Sequence, residues 1–164
     1  FNRNVPISET MVAMEHLVEQ GRVRNIGVSN FSVSQLKEAQ EAMNKYRIVS
    51  NQVLYSLANR EIEGGLMSYC EDNQVTVIAY SPLDQGSLAS RLHLRRRNSI
   101  KVLKQVAVET EKTMAQIALA WCISHSNVVA IPKSDRIERV KENCDASQLT
   151  LTLAQTEALE NAFR

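Results

Sequence analysis

The sequence predicts an α/β chain built from parallel βα units, and three observations support this fold class. Short apolar runs alternate with amphipathic segments of helical period, the apolar runs end in small polar residues, and helix-start signals follow several of those ends. This alternation is typical of parallel sheets, in which functional groups gather at the carboxyl ends of the strands. With 44% apolar residues among 164, the chain is long enough to bury a core, and we expect a single domain over residues 1–164.

The first predicted unit is a strand at residues 24–28 followed by a helix. The strand leads into Ser29 and Asn30, and the spacing of Ser32 and Gln35 is that of a capping box, which opens a helix. Apolar residues then recur along one helical face, at Leu36, Ala39, Met43 and Tyr46. The period therefore extends this helix to about Tyr46.

Two more units follow in the same order. A strand at residues 48–54 leads into a helix with one apolar face, formed by Ile62, Leu66, Met67 and Cys70. A strand at residues 75–80 is closed by Ser81 and Pro82, and a polar loop precedes further helical pattern from Ser99. Later helix starts are indicated by two more capping boxes, at Thr113 with Gln116 and at Thr152 with Gln155.

The fourth strand, residues 128–131, carries the strongest local signal for a ligand. It stops at Pro132, Lys133 and Ser134 follow, and an amphipathic helix begins near Arg136. A cation and a hydroxyl beside a helix N-terminus with free backbone N–H groups are suited to hold a phosphate. An ordinary solvated βα loop is the alternative, and this single unit does not decide between the two.

Five segments, in this order and at these separations, resemble the second half of an aldo-keto reductase: GRVRNIGVSNF, SNQVLYS, VIAYSPL, AQIALAWCIS and IPKSDRIERVKEN. The resemblance runs from about Ser8 to the C-terminus. It implies a TIM-type (β/α)₈ barrel, of which four of the eight strands are present. It also implies NADPH bound in an extended pose across the strand ends, without a Rossmann glycine-rich loop. Neither G-x-G-x-x-G nor G-x-x-x-x-G-K-[ST] occurs in this sequence.

By matching position, the resemblance implies that Ser29, Asn30 and Gln52 hold the nicotinamide carboxamide and that Tyr80 stacks on the nicotinamide ring. The residues alone leave other roles open. Ser29 and Asn30 can simply cap the next helix, and a tyrosine at a strand end is often a core residue. Gln52 is harder to explain as a core residue, because a buried amide needs partners and a ligand amide supplies them.

At the pyrophosphate, the resemblance implies binding by Ser81, Leu83 and Ser87. Asp84 stands where a glycine is usual in the family and brings a negative charge near the phosphates. The following loop contains a basic cluster of four arginines, Arg91, Arg95, Arg96 and Arg97. The cluster is open to three interpretations, which are added charge for the pyrophosphate, a solvated charged loop, and a nucleic-acid patch.

At the adenosine end, the resemblance implies that Lys133, Ser134 and Arg139 hold the 2′-phosphate and that Glu142 and Asn143 contact adenine. The chemistry agrees, since fixed cations and guanidinium groups suit a phosphate dianion. Alternatively, Arg139 and Glu142 lie three apart on a helix and form a surface ion pair.

No catalytic residue is predicted. The family's catalytic Asp, Tyr, Lys and His come from the half of the barrel that precedes the matching segment, and none has a counterpart here. A complete barrel needs about 250 residues, whereas this sequence yields four strands. We therefore expect an NADPH-dependent oxidoreductase that reduces carbonyls to alcohols, present as a partial or truncated chain that is inactive alone. A non-catalytic nucleotide-binding module and a half-barrel interaction module are the alternatives.

The resemblance implies NADPH and, if the full barrel exists, a small carbonyl substrate as partners, and composition bears on the other classes of partner. A net charge of +1 favours neither nucleic acid nor a membrane surface, and no run of about 18 apolar residues occurs. The three cysteines have no C-x-x-C spacing and are typical of reduced thiols in a cytoplasmic protein. The three histidines are isolated, so no metal site is expected. Open strand edges predict self-association.

Overall fold

The computed structural model describes residues 4–89 and 96–164. The strands are β1 (Ile26–Ser29), β2 (Ile48–Leu54), β3 (Thr76–Tyr80) and β4 (Val128–Ile131). The α-helices are α1 (Ile7–Glu19), α2 (Val33–Glu41), α3 (Leu66–Asp72), α4 (Arg97–Glu109), α5 (Met114–Cys122), α6 (Ile137–Asp145) and α7 (Leu153–Ala162). The strands form one sheet in the order β1-β2-β3-β4, with β1 and β2 parallel. The predicted α/β fold of alternating strands and helices is confirmed.

The chain divides into two compact units. Unit 1 comprises residues 1–53 and 62–78, and unit 2 comprises residues 54–61 and 79–164. Each unit has its own buried apolar residues, such as Met11 and Leu36 in unit 1 and Leu103 and Trp121 in unit 2. The expectation of a single domain over residues 1–164 stays a prediction.

In unit 1, α2 ends earlier than the apolar period predicts. Its last residue is Glu41, so Tyr46 lies outside the helix. The cause is the carboxylate of Glu15 on α1, which accepts hydrogen bonds from the N–H groups of Asn44, Lys45 and Tyr46 at 2.8 to 3.3 Å. Three N–H groups that a longer helix would bond internally are thus satisfied by a side chain that is distant in sequence.

The single helix predicted to carry Ile62 and Leu66 is two elements. A short 3₁₀ helix covers Glu61–Gly64, and α3 begins at Leu66. Between them, Gly65 has a φ of 135°, a backbone conformation that residues other than glycine rarely adopt. Met67 and Cys70 of the predicted apolar face are buried, and this glycine breaks the predicted helix in two.

Unit 2 is organised around α5. Residues 115–122 of this helix are all buried, which is typical of a helix that is apolar on every side. Helices α4 and α6 and strand β4 pack against it. All three predicted capping boxes are confirmed, at the starts of α2, α5 and α7. The cap at Thr113 places the first turn of α5 where it contributes to the cavity described below.

Candidate functional site

Within unit 1, the polar residues that end β1 are bonded to β2. The Ser29 hydroxyl donates to the main-chain oxygen of Gln52 over 3.1 Å, and the Asn30 N–H donates to the same oxygen over 2.8 Å. Asn30 Nδ2 also donates to Ser29 Oγ over 3.3 Å. The cap of α2 is Ser32, so Ser29 and Asn30 are not the residues that cap this helix. The structure brings Ser29, Asn30 and Gln52 together.

Asn51, which was given no role from the sequence, is the buried amide of this region. It is 0% exposed, and its Nδ2 donates to the Phe31 carbonyl over 2.9 Å while its Oδ1 accepts from the Phe31 N–H at 3.3 Å. Gln52 is only half-buried, and no hydrogen bond to its side-chain amide occurs among the described residues. The two-residue period of a strand, which places Asn51 and Val53 on one face, is the signal that identifies Asn51.

Within unit 2, a cavity of about 720 Å³ lies at the ends of β3 and β4. It brings together seven of the residues predicted to bind cofactor: Ser81, Leu83, Lys133, Ser134, Arg139, Glu142 and Asn143. The sequence did not identify the other lining residues, such as Gln85, Thr113 and Asp135. Of these, Thr113 had a detectable signal, because its capping box predicts the helix start that the cavity uses.

The loop between β4 and α6 presents its cations to solvent. The Lys133 side chain is 83% exposed and its Nζ lies 3.5 Å from Asp135 Oδ2. A hydrogen bond from its own backbone N–H, and then the Lys133 ammonium, hold the pKa of Asp135 below its usual range. Ser134 Oγ accepts from the Arg136 N–H over 3.2 Å, and no side chain caps α6. Arg139 has no ion pair with any described residue.

Helices α5 and α6 are joined at the cavity by polar contacts. Thr113 Oγ1 donates to Glu142 Oε1, and Gln116 Nε2 donates to the Glu142 main-chain oxygen over 3.2 Å. Within the part of the chain that the structure describes, Arg139 and Glu142 form no ion pair within 4.0 Å. The surface pair proposed as an alternative from their spacing is therefore not present, and Glu142 is held by α5 instead.

The segment after β3 carries Asp84 where the resemblance implies a glycine, and its geometry explains how aspartate is accommodated. Asp84 has a φ of 47°, in the region where glycine is favoured and aspartate is tolerated. Its Oδ2 accepts from the Ser87 hydroxyl over 2.5 Å and lies 4.0 Å from Arg96 Nη1. Ser87 thus bonds to Asp84 and does not line the cavity. Arg91 and Arg95 of the basic cluster lie outside the described residues.

The ring of Tyr80 and the buried thiols also bear on the chemistry. Tyr80 at the end of β3 is half-buried and does not line the unit 2 cavity. Burial raises the pKa of the Cys122 thiol to about 12 and that of Cys70 to about 11, so neither is a thiolate nucleophile near neutral pH.

Across residues 4–89 and 96–164, His, Cys, Asp and Glu form no group of three suited to a metal ion. No helix among these described residues is long and apolar enough to span a membrane.

Comparisons with known proteins agree on one family. The model of the aldo/keto reductase family matches residues 1–163. Methylglyoxal reductase YeaE of Escherichia coli (strain K12) is 37% identical over 158 residues, which are 94% of this chain and 53% of that protein.

Two solved structures are also similar. The thermostable aldo-keto reductase Tm1743, in complex with the inhibitor epalrestat, matches with a TM-score of 0.88 and 37% identity, over 98% of this chain and 56% of that chain. The Klebsiella pneumoniae aldo-keto reductase in complex with NADPH matches with a TM-score of 0.85 and 35% identity, over 97% and 55%. The chain spans about half the length of the proteins it matches.

Proposed function

Because this chain belongs to the aldo/keto reductase family, we propose that it forms the NADPH-binding part of an oxidoreductase that reduces a carbonyl group to an alcohol. The observation that carries the proposal is the unit 2 cavity, to which Lys133, Ser134 and Arg139 all contribute. The family comparison supports the same cofactor, since a relative from Klebsiella pneumoniae was crystallised with NADPH.

The residues of this cavity fit an adenosine carrying a 2′-phosphate. Its volume of about 720 Å³ lies within the range of ligand pockets. Lys133 and Arg139 supply two positive charges, Ser134 supplies a hydroxyl, and the first N–H groups of α6 have no side-chain cap. Phosphate dianions favour such donors. Asp135 opposes the fit with one negative charge, which Lys133 partly offsets at 3.5 Å.

In this proposal, each predicted site residue contacts one part of the cofactor. Lys133, Ser134 and Arg139 neutralise and bond the 2′-phosphate, and Glu142 and Asn143 contact adenine. Ser81 and Leu83 contact the pyrophosphate. Ser87 contacts it as well only if its hydroxyl gives up the hydrogen bond to Asp84. When bound, NADPH supplies the hydride that reduces the carbonyl carbon.

For the nicotinamide, we propose that Ser29, Asn30 and Gln52 orient the carboxamide and that Tyr80 offers its ring face. The hydrogen bonds from Ser29 and Asn30 to the Gln52 main chain support this role, because they fix the first two residues in place. The Gln52 side-chain amide has no partner among the described residues, so a ligand amide can satisfy it.

The proposal includes no turnover by this 164-residue chain alone, because none of its residues matches the family's proton donor. General acid catalysis is typically worth about 10² to 10⁴-fold. With NADPH and a reactive aromatic aldehyde, absorbance should therefore fall no faster than in a control without protein. Faster loss that Tyr80→Phe abolishes would identify Tyr80 as the acid and contradict this part of the proposal.

A nucleotide-binding module without turnover is the second candidate, since all residues that line the cavity belong to unit 2.

A small carbonyl substrate is proposed from the name of the methylglyoxal reductase relative. A cytoplasmic location is proposed from three cysteines that are free thiols. Self-association is proposed because β4 ends the strand order and Val129 is 51% exposed. Sedimentation as a monodisperse monomer would contradict the last of these.

Titration of NADPH and NADH tests the proposed function. The two cofactors differ only in the 2′-phosphate, so NADPH should bind more tightly. A lost charge-assisted hydrogen bond costs about 1.5 to 3 kcal/mol, so Arg139→Ala should weaken NADPH by about tenfold or more and leave NADH nearly unchanged. Arg136→Ala is the matched control, because Arg136 is a neighbouring exposed arginine that does not line the cavity. Equal affinity of the unmutated chain for both cofactors would refute the proposal.

A further inference from the structure

The Thr113 hydroxyl has two partners at the start of α5. It accepts from the Gln116 N–H over 3.2 Å, which is its role as helix cap, and it donates to Glu142 Oε1 on α6. A hydroxyl has one donor and two acceptor positions, so one side chain can serve both partners. Thr113 and Glu142 both line the unit 2 cavity, although they are 29 residues apart.

The same turn of α5 holds Glu142 at a second point. Gln116 is 8% exposed, and its Nε2 donates to the Glu142 main-chain oxygen over 3.2 Å. Among the residues that the structure describes, Glu142 Oε2 has no hydrogen bond or ion pair. One carboxylate oxygen is thus committed to Thr113, and the other is available as an acceptor from a group that is already fixed in place.

We propose that Thr113 is a positioning residue for recognition of the nucleotide base, acting through Glu142. This inference rests on the proposed function, in which Glu142 contacts adenine. An ionised carboxylate only accepts hydrogen bonds, so a fixed Glu142 selects a base that offers an N–H donor at the exocyclic position it faces. The exocyclic amino group of adenine is such a donor. Fixing the acceptor in advance also lowers the ordering cost that binding would otherwise carry.

NADPH and its hypoxanthine counterpart separate base recognition from general binding. The counterpart keeps every phosphate and the nicotinamide, but a carbonyl oxygen replaces the amino group, and the N–H donor of its base lies at the neighbouring N1 instead. By calorimetry, the unmutated chain should bind NADPH about tenfold more tightly, as expected for one charge-assisted hydrogen bond. Thr113→Val should reduce this ratio to roughly threefold or less, since Glu142 loses its anchor but keeps its charge. Thr113→Ser, which retains the hydroxyl, should preserve it.

Thr152 provides a matched control for loss of a helix cap. It caps α7 and accepts from the Gln155 N–H over 3.3 Å, as Thr113 does from Gln116. In the described part of the chain, its hydroxyl has no carboxylate partner. Thr152→Val should therefore leave the affinity ratio unchanged. Glu142→Ala should abolish the ratio, and adding Thr113→Val to it should change nothing further, because the two side chains act as one unit.

The outcomes distinguish this inference from the function on which it rests. A ratio that Glu142→Ala abolishes but Thr113→Val leaves intact would overturn the positioning role alone. Equal falls in the ratio for Thr113→Val and Thr152→Val would assign the effect to a loosened fold and overturn it as well. If the unmutated chain binds neither nucleotide, the proposed function itself is wrong, and the inference falls with it.

Discussion

The polar residues of unit 1 and those of the unit 2 cavity differ in what their hydrogen bonds do. In unit 1, Ser29, Asn30 and Asn51 bond main-chain groups of other segments, and Asn51 is 0% exposed. In unit 2, Lys133 is 83% exposed and pairs only with Asp135 among the described residues, whereas Arg139 pairs with none of them. The first group holds the backbone in shape, and the second keeps its charges available.

This difference predicts which property each substitution changes. A buried, bonded amide stabilises the fold, because its loss removes hydrogen bonds at a site that water does not reach. An exposed cation contributes little to stability, since solvent and salt screen it. Its charge matters when a phosphate displaces that solvent. Substitution of the buried Asn51 should therefore change the free energy of unfolding, and substitutions in the second group should change affinity.

Asn51→Ala should have the largest effect on stability. The change removes two hydrogen bonds to Phe31 at a site that is 0% exposed, and we expect the free energy of unfolding to fall by about 3 kcal/mol. Urea denaturation followed by circular dichroism measures this loss. Gln52→Ala is the control, because its half-buried amide has no described partner, and it should change stability by less than about 0.5 kcal/mol. Equal losses in the two variants would remove the distinction between the groups.

Asp135→Asn should have a smaller effect, on affinity alone. The substitution removes a negative charge beside Lys133, so NADPH should bind about twofold to threefold more tightly at low salt, with the gain screened at high salt. Asp145→Asn is the control, since Asp145 is an exposed residue of α6 that does not line the cavity. Fluorescence titration at two salt concentrations measures both variants. Weaker binding after Asp135→Asn would mean that this carboxylate orients Lys133 for the phosphate.

The features that the sequence predicted well are those set by nearby residues. The four strands, the three capping boxes and the polar residues at strand ends depend on short-range patterns, and the structure contains all of them. Features set by distant partners were missed. The carboxylate of Glu15 stops α2 through N–H groups 29 to 31 residues away, and no local pattern reports that bond.

The candidate site divides in the same way. The resemblance placed Lys133, Ser134, Arg139, Glu142 and Asn143 in one group, and the structure puts them around one cavity. It did not identify the Thr113 hydroxyl, because its bond to Glu142 joins two helices that are separate in sequence. It also placed Ser87 at the pyrophosphate, whereas in the structure that hydroxyl bonds to Asp84. Cofactor binding by these residues stays a prediction.

The binding of two adenosine fragments tests the central claim most directly, because it needs only the unit 2 cavity. Adenosine 2′,5′-bisphosphate and 5′-AMP differ by the 2′-phosphate alone. Calorimetry at low salt should show tighter binding of the bisphosphate by about tenfold or more, as expected for one charge-assisted contact, and Arg139→Ala should remove most of that difference. Equal affinity of the unmutated chain for the two fragments would contradict the account.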